Sequence, residues 1–122
     1  MTKKIIVADD RKAWRELYSG GIRFAFPNCS VDEVETGSDL VERVLQGDYS
    51  LVISDNNMEG ENDGLEALKK IRESGSEVPF YLVCAASSYV DQEARNHGAN
   101  GFYNKSNFDL DKIIQDITPH LQ

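Results

Sequence analysis

The stretch LVISD at residues 51–55 decides the fold, because four residues that suit a buried strand end in a carboxylate, Asp55. Three further stretches have the same apolar character: IIVA at 5–8, FYLVCA at 80–85 and GFYN at 101–104. Strands that are apolar along their whole length are typical of a parallel sheet with both faces covered. We therefore expect these stretches to be strands of one parallel sheet.

Charged residues lie at the ends of three of these stretches. Asp9 and Asp10 follow the stretch at 5–8, Asp55 closes the stretch at 51–55, and Lys105 follows the stretch at 101–104. The C-terminal ends of parallel strands share one edge of the sheet, and ligands bind in the crevice at that edge. Crowded carboxylates raise one another's pKa unless a cation neutralises them, and hard oxygen ligands of this kind suit Mg²⁺. The sequence therefore predicts a small acidic site for Mg²⁺ at this edge.

Amphipathic stretches alternate with the strands along the chain. A fifth strand is predicted at 30–34, and helices are predicted near 11–26, 38–46, 64–74, 88–97 and 110–121. This alternation implies right-handed crossovers and an α/β fold in which helices cover both faces of the sheet. Asp10 is expected to cap the first helix, Ser87 and Ser88 the fourth, and Asp109 or Asn107 the last.

The composition fits one domain of a cytoplasmic protein. The 122 residues include 21 acidic and 13 basic side chains, with a formal net charge of −8. This balance argues against binding of nucleic acid, which needs clustered Lys and Arg. No apolar run reaches the roughly 18 residues of a membrane span. Cys29 and Cys84 lack the spacing of metal ligands and are expected to be reduced thiols.

Six residues in chain order carry a resemblance to a known family. They are Asp9 and Asp10 after the first strand, Asp55 and Met58 after the third, Gly64 at the start of the third helix, and Lys105 after the fifth strand. With these residues the chain resembles a response-regulator receiver domain, the phosphoacceptor module of two-component signalling, over residues 1–122. The resemblance implies a flavodoxin-like three-layer sandwich, with a doubly wound five-stranded parallel sheet in the order 2-1-3-4-5 and five helices.

The resemblance also implies a function for the acidic site. Asp55 is expected to accept a phosphoryl group from a histidine kinase or a phosphotransfer protein. Asp9, Asp10 and the backbone carbonyl of Asn57 are expected to hold Mg²⁺ together with Asp55, and Lys105 to pair with phosphoryl oxygens. A downstream effector protein is the implied partner, and a homodimer is a second implied assembly. The resemblance implies that the domain itself catalyses acceptance and hydrolysis of the phosphoryl group, so we expect a signalling module and not an enzyme.

Three positions depart from the usual pattern of that family. Cys84 stands where Thr or Ser usually ends the fourth strand, and Phe102 occupies the aromatic switch position without a tyrosine hydroxyl. Ser106 replaces a proline that usually follows a cis peptide bond, so the loop is rearranged or strain is stored there. The alternative is a degenerate receiver that binds a partner without phosphorylation. Cys84 and Ser106 favour this alternative, whereas the three carboxylates and the lysine of the site disfavour it. A Mg²⁺-dependent phosphohydrolase is disfavoured, because Asn57 supplies no second carboxylate near Asp55.

The remaining aromatic and histidine residues are interpreted more simply. Trp14, one helical turn after the acidic pair, is expected to be partly a core residue, with contact to the neighbouring site loops as the alternative. His120 is expected to be a surface residue. Tyr89, Tyr103 and Phe108 are expected on an exposed rim of the last helices and strand. This family often meets partners or dimerises there, so the rim is a predicted interaction surface.

Overall fold

The apolar runs of the sequence form one parallel sheet in the computed structural model, which describes residues 2–85 and 88–122. The strands are β1 (Lys4–Ala8), β2 (Ser30–Val34), β3 (Leu51–Asp55), β4 (Phe80–Cys84) and β5 (Gly101–Asn104). They lie in the order β2-β1-β3-β4-β5, and each neighbouring pair is parallel. The predicted doubly wound sheet and its strand order are confirmed.

Helices connect the strands in strict alternation. They are α1 (Lys12–Ala25), α2 (Gly37–Gln46), α3 (Asp63–Glu73), α4 (Ser88–Asn96) and α5 (Leu110–Leu121), with a short 3₁₀ helix at Lys105–Asn107. The predicted helices agree with these bounds to within one residue at each end. The cap predicted at Ser87 lies outside the described residues, as does the side chain of Ser88. Within the described part of the chain, no helix is long and apolar enough to cross a membrane.

Apolar side chains on both faces of the sheet hold the helices in place. Side chains alternate along a strand, so Ile5 and Val7 of β1 face α1 and α5, whereas Ile6 and Ala8 face α2, α3 and α4. All four of these residues are fully buried. Burial of a large apolar side chain contributes roughly 1.5–3 kcal/mol. These two cores produce the predicted three-layer sandwich.

The strand register aligns the chemistry at one edge of the sheet. Ala8 of β1 pairs with Ser54 of β3. The next residue of each strand is an aspartate, so Asp9 and Asp55 lie side by side at the C-terminal edge. The parallel strand β5 ends at the same edge, and Lys105 follows it directly.

The first turn of α1 differs from the prediction. Asp10 does not cap this helix, because the helix begins after Arg11, whose side chain makes no capping hydrogen bond. The buried carboxylate of Asp9 instead accepts the backbone N–H of Arg11 at 2.9 Å. At α5 the prediction holds for Asp109, which accepts the backbone N–H of Lys112 at 3.2 Å.

Candidate functional site

Three carboxylates converge at the C-terminal edge of the sheet. Asp9, Asp10 and Asp55 each offer an oxygen, and these oxygens lie within 4.8 Å of one another. Asp9 is fully buried and Asp55 is 5 % exposed, whereas Asp10 is exposed. The structure thus brings together the three carboxylates that the sequence places at this edge. Their mutual repulsion favours a bound cation.

Lys105 is the protein's own cation in this cluster. Its Nζ lies 3.1 Å from Oδ1 of Asp55 and 3.4 Å from Oδ2 of Asp9. The same Nζ lies 4.6 Å from the centroid of the Trp14 ring. Only 16 % of the Lys105 side chain is exposed. The ammonium group is therefore enclosed by two carboxylates and an aromatic face.

Burial sets the proton affinities of the two inner carboxylates. Burial, followed by the neighbouring charge of Asp9, raises the pKa of Asp55 to about 6, although Lys105 acts in the opposite direction. Burial also raises the pKa of Asp9, against the lowering effects of the Arg11 N–H and Lys105. One ammonium group therefore does not fully offset the desolvation of two carboxylates, and the site has a surplus of negative charge.

The loop after β5 contains a short 3₁₀ helix in place of the predicted strained peptide bond. The described residues contain no cis peptide bond, and Lys105–Asn107 forms the short 3₁₀ helix. The side-chain oxygen of Asn104 accepts hydrogen bonds from the backbone N–H and the hydroxyl of Ser106, at 2.9 and 2.8 Å. Of the two alternatives for Ser106, the structure therefore supports rearrangement of the loop.

Asn56 is a buried residue of the site that the sequence analysis missed. It is 1 % exposed, and its Nδ2 donates to Oδ1 of Asn62 at 2.9 Å. Its Oδ1 accepts the backbone N–H of Leu65 at 3.1 Å, and its backbone carbonyl accepts the N–H of Gly64 at 2.8 Å. Asn56 therefore joins the end of β3 to the start of α3. A polar residue directly after a buried strand was the available signal.

The loop that carries Asn57 is held by short side-chain hydrogen bonds. Oδ1 of Asn57 accepts the backbone N–H of Asn62 at 2.9 Å, and Oδ2 of Asp63 accepts the N–H of Gly60 at 2.7 Å. Asn62 has a φ of 60°, a left-handed conformation that Asn tolerates better than most residues. The side-chain oxygen of Asn57 is used within the loop. The implied metal ligand of this residue is its backbone carbonyl.

An open cavity gives access to these groups. Its volume is about 380 Å³. Residues at and just beyond the C-terminal ends of β1, β3, β4 and β5 line it: Asp10, Arg11, Trp14, Asp55, Asn57, Met58, Ala85 and Lys105. The cavity therefore gives direct access to Asp55 and Lys105.

The two predicted switch residues occupy different surroundings. Cys84 is 4 % exposed, and its Sγ lies 3.7 Å from Nδ2 of Asn56. Burial raises the pKa of this thiol, and both cysteines are free, as predicted. Phe102 is partly buried and packs against the apolar cluster beneath α4. The switch roles of both residues stay predictions.

Two of the three residues predicted on the exposed rim are packed inward. Phe108 lies edge-on to Trp14, with ring centroids 5.0 Å apart. It also lies edge-on to Tyr18 at 5.7 Å. The hydroxyl of Tyr103 donates to Oδ2 of Asp116 at 2.6 Å. Tyr89, at 63 % exposure, alone fits the predicted rim.

Trp14 combines the two roles that were predicted for it, and His120 is less exposed than predicted. His120 contacts Tyr81 of β4, with its Nε2 2.7 Å from the Tyr81 hydroxyl, because α5 packs on the face of the sheet that carries Tyr81. His120 is therefore half-buried and not a fully exposed surface residue. Trp14 packs partly against the core beneath α1, but its ring also contacts the site lysine. Its position one helical turn after Asp10 was the signal for this contact.

Comparisons with known proteins agree with this geometry. Residues 5–118 match the family described as the response regulator receiver domain. The transcriptional regulatory protein DltR of Streptococcus agalactiae is 31% identical over 115 residues, which are 93% of this chain and 50% of that protein. The glycerol metabolism activator of Pseudomonas putida is 33% identical over 105 residues, 84% of this chain and 47% of that protein. The chain thus spans about half the length of the curated relatives it matches.

Solved structures give the same result for the fold. A CheY-like receiver domain protein from Methanospirillum hungatei superposes with a TM-score of 0.87 at 18% identity, over 99% of this chain and 94% of that chain. The response regulator TrrA of Thermotoga maritima, solved in complex with Mg²⁺–BeF, has a TM-score of 0.83 at 27% identity, over 98% of this chain and all (100%) of that chain. Sheet order, acidic pocket and family match agree, and the chain belongs to the response regulator receiver domains, the signalling modules of two-component systems.

Proposed function

We propose that Asp55 accepts a phosphoryl group and that this modification switches the signalling state of the domain. The observation that carries the proposal is the position of Lys105, which bridges Asp55 and the buried Asp9 at 3.1 and 3.4 Å. Asp10 completes an oxygen cluster within 4.8 Å. Phosphoryl transfer needs positioning and charge neutralisation more than covalent help from the protein. The described site supplies a nucleophile and a fixed cation.

The chemistry is a displacement at phosphorus. A carboxylate oxygen of Asp55 forms a bond to the phosphorus of a phosphohistidine, while the phosphorus–nitrogen bond breaks and its electron pair returns to the imidazole, which takes up a proton. Lys105 stays within reach of the new phosphoryl oxygens and offsets their charge. Hydrolysis then removes the phosphoryl group: water attacks the phosphorus, the bond to Asp55 breaks, and inorganic phosphate leaves. The carboxylate is restored, so these steps make a timed switch.

The donor set fits Mg²⁺. All candidate ligands are hard oxygens. Burial raises the pKa of both Asp9 and Asp55 despite the opposing effect of Lys105, so a bound cation would favour their charged forms. Asp9, Asp10, Asp55 and the backbone carbonyl of Asn57 would hold the ion, in keeping with the preference of Mg²⁺ for a few carboxylates and several waters. When bound, the ion supplies positive charge against phosphoryl oxygens.

The partners follow from this chemistry and from the family. The phosphoryl donor is a histidine kinase or a phosphotransfer protein, and a downstream effector reads the phosphorylated form. We place the receiver over the whole of residues 1–122, as one folding unit. The self-catalysed steps involve no turnover of a separate substrate, so the domain acts as a signalling module.

The test is phosphorylation by a small donor. The protein is mixed with Mg²⁺ and acetyl phosphate, and intact mass and Trp14 fluorescence are followed. We expect a mass increase of one phosphoryl group, with acetate as the leaving group, and a saturable fluorescence change. Trp14 reports on the site because Lys105 Nζ lies 4.6 Å from its ring centroid.

Asp55→Asn is the control variant, because it keeps the shape of the residue and removes the nucleophile. It should show neither the adduct nor the saturable change. A second arm uses BeF₃⁻ with Mg²⁺ as a mimic of the phosphoryl group. Absence of both adduct and mimic binding in the unmodified protein would refute the proposal and favour the degenerate receiver, which Cys84 and Ser106 already favour.

A further inference from the structure

We propose that Trp14 is a positioning residue for Lys105, and that its ring face keeps the ammonium group between Asp9 and Asp55. The inference rests on the function proposed above for Asp55 and Lys105. It assigns a role in the site to a residue of α1 that contributes no charged or ligating group.

The contact has the geometry of a cation–π interaction. Lys105 Nζ lies 4.6 Å from the centroid of the Trp14 ring, within the roughly 6 Å over which such contacts are favourable. Tryptophan is the best aromatic partner for a cation, and the interaction strengthens when water is excluded. Here the lysine side chain is 16 % exposed, and Trp14 lines the same cavity as Asp55.

The Trp14 ring is itself held in place by two other rings. Phe108 lies edge-on to it, with centroids 5.0 Å apart, and Tyr18 is tilted against it at 5.9 Å. Phe108 and Tyr18 also contact each other at 5.7 Å, and Tyr18 is fully buried. The three rings form an aromatic wall that joins α1 to the segment after β5. Lys105 therefore lies against an aromatic surface whose rings are held by their packing on one another.

Lys105 needs such a surface because its own side chain is flexible. A lysine has a four-carbon stem with high rotamer entropy. The hydrogen bonds of the following loop fix the backbone of Ser106 through Asn104, but they do not hold the lysine stem. Phosphorylation changes the charge at Asp55, whereas the Trp14 ring carries no charge of its own that phosphorylation would alter. The ring therefore provides a constant contact while the ionic partners change.

The first test compares two substitutions of Trp14 in phosphorylation by acetyl phosphate with Mg²⁺. Trp14→Leu keeps apolar bulk and removes the ring face, whereas Trp14→Phe retains a smaller ring face. We expect Trp14→Leu to slow formation of the adduct roughly three- to tenfold, in line with the strength of a partly desolvated cation–π contact. Trp14→Phe should recover most of the rate.

Phe24→Leu is the matched control. Phe24 lies on the same helix but is 91 % exposed, so this change also removes an aromatic ring from α1 without touching the cavity. Its rate should equal that of the unmodified protein. Equal rates for Trp14→Leu and the unmodified protein would overturn the proposal. So would a Trp14→Phe variant as slow as Trp14→Leu, because that result indicates a requirement for indole packing and not for a ring face.

The second test is spectroscopic and does not depend on phosphorylation. Ring currents shield protons above an aromatic face, so the ε-methylene protons of Lys105 should resonate upfield of other lysines in the unmodified protein. The shift should disappear in Trp14→Leu while the methyl signals of Ile113 and Ile117 keep their dispersion. An unshifted Lys105 in the folded, unmodified protein refutes the positioning role. A shifted Lys105 in a protein that takes up no phosphoryl group refutes only the proposed function.

Discussion

Asp55 is 5 % exposed and lies beside a second buried carboxylate, Asp9. Ionising Asp55 therefore carries a desolvation penalty that Lys105 offsets in part, and its pKa rises to about 6. The unfolded chain releases the same proton near pH 4. Between these values the folded state binds more protons than the unfolded state, so this residue lowers stability as the pH rises. The penalty is complete above about pH 6 and absent below about pH 4.

We expect Asp55→Asn to raise the free energy of unfolding by about 1–3 kcal/mol at pH 8 without divalent ions, since each pKa unit corresponds to roughly 1.4 kcal/mol. The gain should shrink toward zero as the pH falls to 4. Urea denaturation at pH 4, 6 and 8 measures it. Asp48→Asn, at an exposed position, is the control and should have little effect. A stability loss in Asp55→Asn at pH 8 would contradict the penalty.

Some residues of the site could be predicted from the sequence and others could not. Asp9, Asp55 and Lys105 could be placed from the sequence because each is next to an apolar run. Asn56 also follows an apolar run, but its role could not be predicted, because that role depends on hydrogen bonds to Asn62 and to the first turn of α3. A loop asparagine has no periodicity that would distinguish a buried one from a solvated one.

At the scale of elements, the entry into α3 sets the distance between this helix and β3. A Cβ on Gly64 would collide with the backbone oxygen of Asp55, and it would lie 2.8 Å from a methyl group of Leu82 and 2.9 Å from the Cα of Asn56. Two of these three neighbours are backbone atoms, which cannot rotate away. The close approach therefore requires glycine at this position.

Gly64→Ala should lower the free energy of unfolding by about 2–4 kcal/mol, as expected for a backbone clash in a packed interior. Gly20→Ala is the matched control within α1, because a Cβ there would meet nothing within 4 Å. That change should stabilise the protein by about 0.4–1 kcal/mol through the higher helix propensity of alanine. Thermal and urea unfolding of both variants measure these changes in the free energy of unfolding. Equal effects in the two variants would show that Gly64 is not tightly packed.

At the scale of the whole molecule, the sheet brings distant parts of the chain into one site. Asp9 and Lys105 are 96 residues apart in sequence and 3.4 Å apart in space. The residues of the site follow β1, β3 and β5. A ligand that binds them only in the folded state therefore stabilises the entire domain.

Mg²⁺ should therefore raise the midpoint of thermal unfolding. At a concentration tenfold above its dissociation constant, the gain would be about 1.4 kcal/mol, or several degrees for a domain of this size. Scans with MgCl₂ and with KCl at equal ionic strength separate binding from screening. The shift should be lost in a variant that combines Asp9→Asn with Asp10→Asn. A midpoint that responds equally to both salts would contradict the metal site.

The sequence by itself determined the α/β class, the element bounds and the presence of three carboxylates and a lysine at one edge, because apolar runs and strand ends are local features. The tertiary structure alone decided which side chains meet across elements. It turned Phe108 inward, selected Lys105 as the site residue that Trp14 contacts, and made His120 a partner of Tyr81. Such contacts depend on how α1, α5 and the loop after β5 pack on the sheet, and no pattern within a single segment contains that information.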